Sequence, residues 1–155
     1  MRVDFINPFI KAASEVLKAE AKVEVLDKGK LSLESSAYTT QDVTVMIGVT
    51  GKITGIVLYG MSERTAKQIV SNILNEPVAV YDSLVESAIA ELGNVITGIA
   101  SVELEKAGYP SNIAPPSVIS GRGAVISTVD IKRLVIPLIT TVGELDISVA
   151  LIEKE

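Results

Sequence analysis

The chain has 155 residues, enough for one domain to bury roughly 70% of its unfolded surface, and residues 1–155 read as that single domain. It contains neither cysteine nor histidine, which excludes disulfides, thiolate nucleophiles, Ser-His triads, imidazole acid–base chemistry and nearly every transition-metal site. With 14 Lys and Arg against 19 Asp and Glu, a net charge of −5 and no basic cluster, nucleic acid and anionic membranes are poor partners.

Met1-Arg2-Val3-Asp4 leads into a mixed polar and apolar stretch without a visible secretory signal. The most apolar stretches, near residues 84–102 and 134–151, are interrupted by charged or polar side chains and read as a core helix and strands rather than membrane spans. The expectation is a soluble, cytoplasmic protein with no membrane insertion.

Phe9, Ile10, Ala13, Val16 and Leu17 follow helical spacing behind Asn7-Pro8, read as an N-cap and a first-turn proline, and this helix runs to about Ala21. Val23, Val25, Leu31 and Leu33 alternate around Asp27-Lys28-Gly29-Lys30, the pattern of two short strands joined by a turn. Val43, Val45, Ile47 and Val49 alternate with Thr44, Met46, Gly48 and Thr50, the chain turns at Gly51-Lys52, and residues 53–59 return as a hairpin. Ser62 caps a second helix with the stripe Ala66, Ile69, Val70, Ile73 and Leu74, closed by Pro77.

A third helix starts at Ser83-Leu84-Val85-Glu86, which has capping-box spacing, and continues to Lys106-Ala107, with Gly108 and Pro110 as the stop. At ~1.5 Å per residue it is a rod of roughly 36 Å, long enough to cross the domain. A second hairpin, residues 134–141 and 145–151, turns about Val142-Gly143-Glu144. Pro137 within it points to an edge strand or a bulge, and an edge could serve as a dimer surface. A helix-then-hairpin unit thus occurs twice, which makes the fold α+β: long helices on an antiparallel β-sheet with a weak internal repeat.

On the third helix the apolar face reads Val85, Ala88, Ile89, Leu92, Val95, Ile96, Ile99 and Val102. The opposite stripe, Ser83, Ser87, Glu91, Asn94, Gly98 and Ser101, has one carboxylate and one amide among small residues, where a solvated face normally carries several Lys and Glu. Gly93 and Gly98 each cost ~1 kcal/mol inside a helix, and close approach of another backbone is one reason to keep them. Two readings stay open: a surface that receives a partner, or a central helix whose Glu91 and Asn94 satisfy nearby backbone groups.

The segments Glu91-Leu92-Gly93-Asn94-Val95-Ile96-Thr97-Gly98 and Asn112-Ile113-Ala114-Pro115-Pro116-Ser117-Val118-Ile119-Ser120-Gly121 resemble the signature of the CheC/CheX/FliY phosphatases of chemotaxis. The likeness extends to Asn7-Pro8-Phe9 and to Ile47-Gly48-Val49-Thr50-Gly51. In that family a long helix carries E-x-x-N with a Ser or Asp four residues before the Glu, matched by Ser87, Glu91 and Asn94; the family proline could be Pro115 or Pro116, each short of the usual spacing.

The resemblance implies a CheC-like fold and an enzyme that hydrolyses the aspartyl phosphate of a CheY-type response regulator. It assigns Asn94 to orient the attacking water and Glu91 to dock on the regulator's active-site lysine. Ser87 and Gly98 would flank the contact. It further implies no cofactor in this chain, the Mg2+ residing in the regulator. One E-x-x-N helix rather than two resembles the CheX branch and implies a homodimer; Asp4 and Asn7 read as capping residues, not a second site. A non-catalytic adaptor on the same fold is the alternative.

Overall fold

The structure, a computed structural model, describes residues 3–154; Met1 and Arg2, on which part of the N-terminal reading rests, and Glu155 lie outside the described residues. A 3-10 turn, Val3–Ile6, leads into α1 (Asn7–Ala21), followed by β1 (Val25–Lys28), β2 (Ser32–Glu34) and β3 (Ala37–Thr39). The hairpin β4 (Val43–Gly51) and β5 (Ile53–Met61) precedes α2 (Glu63–Leu74) and α3 (Ser83–Lys106). Three short strands, β6 (Ser111–Ile113), β7 (Ser117–Ser120) and β8 (Val125–Ser127), then lead to the hairpin β9 (Arg133–Thr140) and β10 (Gly143–Glu153).

The main sheet is antiparallel in the order β1-β9-β10-β5-β4-β6, with β2 also on β9 and β7 also on β4. Its two hairpins are therefore back to back, joined where β10 pairs with β5 from Leu145↔Met61 to Glu153↔Ile53. Strand alternation sends Val45, Ile47, Val57, Tyr59, Leu138, Ile136, Leu145 and Ile147 to one face, where they form one core with the buried faces of α1, α2 and α3. The other face is partly covered by the β3–β8 ribbon, tied down by Arg133, which donates to Ser148 Oγ and to the Ser35 carbonyl.

The α+β reading, the three helices and both long hairpins match this architecture, and five local expectations do not. Asn7 is no cap: Ile6 already has helical backbone angles (φ −78°, ψ −26°), so the 3-10 turn runs straight into α1 with no side-chain cap. The start of α3 is capped by Asp82, whose Oδ1 accepts from Leu84 and Val85 N–H, while Glu86 accepts instead from Ser120. Strands β1 and β2 are not a hairpin; both run along β9, with Val25 opposite Thr140 and Glu34 opposite Arg133. The gap between them lies at Pro137, whose carbonyl accepts from Gly29 N–H, so the missing proline N–H falls at an interruption of the ladder. Since β9 has neighbours on both sides, Pro137 marks an irregularity and not an edge.

On α3 the inner face also differs from the one that periodicity indicates. Its buried residues are Val85, Ile89, Leu92, Gly93, Ile96, Thr97, Ala100 and Leu104, whereas Ile99 and Val102 are 38% and 48% exposed. Two small residues and a threonine replace two large aliphatics on the inner face because the helix lies close on the sheet. A Cβ added at Gly93 would stand 2.9 Å from Val45 Cγ1, nearer than real carbon contacts allow.

Candidate functional site

Helix α3 is held by contacts on three sides. Beneath it, the Tyr59 and Thr97 hydroxyls lie 2.7 Å apart, and Thr97 Oγ1 donates to the Gly93 carbonyl at 2.7 Å. Complete burial pushes the Tyr59 phenol far above its ordinary pKa, so it remains a neutral donor. On one flank, Tyr81 meets Ser120 of β7 at 2.7 Å and Ser120 donates to Glu86 at 3.1 Å, pinning the β6–β7 segment to the first turns of α3. On the other flank, α1 and α2 pack against α3.

What remains uncovered is the middle of the polar stripe. Ser87 and Glu91 are exposed, and Asn94, Gly98 and Ser101 are half-exposed. Ser101 Oγ donates back to the Gly98 carbonyl, a local helix contact. Neither the Glu91 nor the Asn94 side chain has a hydrogen-bond or ion-pair partner among the described residues. They do not serve to satisfy the chain's own backbone, so the structure removes one of the two readings left open by the pattern. At i and i+3 on one helix their Cβ atoms are about 5–6 Å apart, close enough for both side chains to engage one small target.

The two helix glycines divide in role. Gly93 faces inward and allows the helix to approach β4, while a Cβ at Gly98 would meet only Ile113 Cδ1, at 4.0 Å. Gly98 is therefore not required for packing within the chain; it leaves a shallow step beside Asn94, one turn along the same face. Pro115 is exposed and Pro116 half-buried in the link between β6 and β7, the strands that border this face.

An unhindered carboxamide offers two donors and an acceptor at once without any change of protonation, and a free carboxylate offers a counter-charge for a cation. That pair can orient a water and anchor a basic group; unassisted, it cannot neutralise a phosphoryl group. Among the described residues no group of three or more Asp and Glu side chains is placed to hold a metal ion.

The fold agrees with those of known proteins. Residues 43–139 match the family model of the chemotaxis phosphatase CheX. The CheY-P phosphatase CheX of Thermotoga maritima is 33% identical over 129 residues, 83% of each chain. A CheC-like superfamily protein of Shewanella sp. PV-4 superposes with a TM-score of 0.87 at 31% identity, covering 98% of this chain and 99% of that one. A chain of the CheX-CheY-BeF3-Mg2+ complex of Borrelia burgdorferi superposes with a TM-score of 0.83 at 29% identity, covering 98% and 100%.

Proposed function

The chain belongs to the CheX family of chemotaxis phosphatases, and on that premise we propose that it hydrolyses the aspartyl phosphate of a phosphorylated CheY-type response regulator. The observation that carries this reading is the pairing of Glu91 and Asn94, whose side chains have no partner among the described residues and lie side by side on the open face of α3. The relative in complex with CheY supports the choice of partner, and the CheY-P phosphatase relative supports the reaction.

In the reaction, water attacks phosphorus in line, the bond from phosphorus to the regulator's aspartyl oxygen breaks, and inorganic phosphate leaves the regenerated carboxylate. The regulator's own Mg2+ and lysine neutralise the phosphoryl oxygens, so this chain needs no cofactor. The Asn94 carboxamide accepts from and donates to the attacking water and holds it in line, accelerating by orientation rather than by proton abstraction. Glu91 pairs with the regulator's lysine and fixes the register of the two proteins, a local attraction that this acidic chain needs. Ser87 and Gly98 flank the contact, one able to hydrogen-bond and the other leaving room. The same reading makes the protein a cytoplasmic homodimer, which sedimentation would check.

The deciding experiment follows phosphate release from phosphorylated regulators. Asn94→Ala is expected to lower turnover at least ~100-fold with the melting temperature unchanged, since loss of positioning alone carries that magnitude. Glu91→Ala is expected to reduce kcat/KM about tenfold, mostly through KM. Full activity from folded Asn94→Ala would end the mechanism, and binding of the regulator without shortening its phosphorylated lifetime would turn the chain into an adaptor.

A further inference from the structure

Beside Glu91, on the flank of α3 that meets α1 and α2, lies an open groove of about 280 Å3. Its apolar walls are Val16 of α1, Ile73 of α2 and Ala88, Leu92 and Val95 of α3, and its two charged lining residues are both acidic: Glu20 from α1 and Glu91 from α3. Glu20, like Glu91, has no hydrogen-bond or ion-pair partner among the described residues. Ala88 is the smallest residue in the wall and leaves the gap unfilled. Two exposed carboxylates beside an apolar surface, with no lysine or arginine lining it, make a site complementary to a cation flanked by an apolar group.

Through Glu91 this groove is continuous with the phosphatase face. We propose that it is a docking pocket for the response regulator, taking one large apolar side chain flanked by a lysine or arginine, with Glu20 supplying a second ion pair beside that of Glu91. The proposal rests on the phosphatase function and adds where specificity arises: the water-positioning amide addresses what all such regulators share, whereas the groove reads a side chain outside their active site. An apolar anchor in a pocket, surrounded by complementary charge, is the arrangement that concentrates binding energy in protein interfaces.

The test measures affinity of the full chain for a panel of CheY-type regulators loaded with beryllofluoride and Mg2+. Glu20→Lys, a change on the exposed side of α1, and Ala88→Phe, which plugs the groove, should each raise Kd about tenfold or more. The Glu20→Lys deficit should shrink in roughly 0.5 M salt, where screening weakens the reversed charge. If Ala88→Phe fails to fold by circular dichroism, Glu20→Lys and its salt dependence carry the test alone. Affinities within about twofold of the wild type would overturn the proposal; so would variants that change sedimentation but not regulator binding, since the groove would then join copies of this chain. Turnover by Asn94→Ala separates the two claims. Wild-type turnover there, with weak binding by Glu20→Lys, would remove the mechanism and keep the docking pocket, while inactive Asn94→Ala with normal binding by the groove variants would do the reverse.

Discussion

Tyr59 donates to Thr97 across the interface between sheet and helix. The Thr97 hydroxyl has one proton, and that proton points to the Gly93 carbonyl, so the 2.7 Å contact between the two hydroxyls runs from the phenol. This single chain of bonds sets how α3 is rotated on β5, one turn from Asn94 in sequence.

Removing its parts is therefore asymmetric. Thr97→Val leaves a fully buried phenol without an acceptor, for about 1–3 kcal/mol of lost stability, and Tyr59→Phe should cost nearer ~1 kcal/mol. Because the double variant orphans no donor, its loss should be smaller than the sum of the two. Urea unfolding of the parent and the three variants would reveal this, and strict additivity would count against donation from the phenol to the threonine.

Gly93→Ala and Gly98→Ala should have opposite signs. The first drives a methyl to 2.9 Å from Val45 Cγ1 and should destabilise by about 1–3 kcal/mol, as overpacking does. The second enters open space and should gain up to ~1 kcal/mol of helix propensity. If Gly98 leaves room for the regulator, the more stable Gly98→Ala protein will also be the slower enzyme. Melting curves read beside phosphate release would expose either error.

At the start of α3, Asp82→Ala should cost ~1 kcal/mol, because Asp82 accepts from two N–H groups of the first turn. Ser83→Ala should fall within about 0.5 kcal/mol of the parent, as substitutions at exposed positions usually do. Chemical denaturation distinguishes the cap observed from the one that capping-box spacing indicates.

Asp146 lies on the sheet face opposite the helices, half-buried, accepting from Gln41 Nε2 at 2.6 Å. Burial, with the neighbouring Glu144 carboxyl, pushes its pKa up to about 6 despite that donor, from an ordinary value near 3.8. Between those values the folded protein holds more protons than the unfolded one, so stability should fall as pH rises from about 4 to 6. Asp146→Asn should flatten that slope and be more stable than the parent near neutral pH. A thermal-shift series across pH would show it, and parallel profiles for the two proteins would refute it.

Helices and long hairpins were legible because each rests on a local signal: residues 43–49 alternate, the other hairpin strands are apolar runs folded about Gly51 and Gly143, and α2 carries both its stripe and its Ser62 cap. Strands β3, β6, β7 and β8 were not, since three or four residues show no period and their partners are distant in sequence, as Tyr38 is from Ile126. The same non-locality misread β1 and β2, whose pairing belongs to β9. On α3, large aliphatics at Ile99 and Val102 drew the inner face one step around the helix, because the pattern counts hydrophobicity and not how near the sheet lies. Glu91 and Asn94 could be read from one motif on one helix. Glu20 could not, since only tertiary packing sets it across a groove from Glu91.

The order in which the strands are synthesised differs from their order across the sheet. Strand β10 follows every other element along the chain yet occupies the middle of the sheet, between β9 and β5. During synthesis the strands and helices that hold α3 all emerge before β10, whereas β5 keeps one edge unpaired until β10 arrives. A nascent chain stalled before residue 143 should carry Glu91 and Asn94 on a helix already made, beside a β5 edge with no strand to pair it, a species for chaperones rather than for signalling.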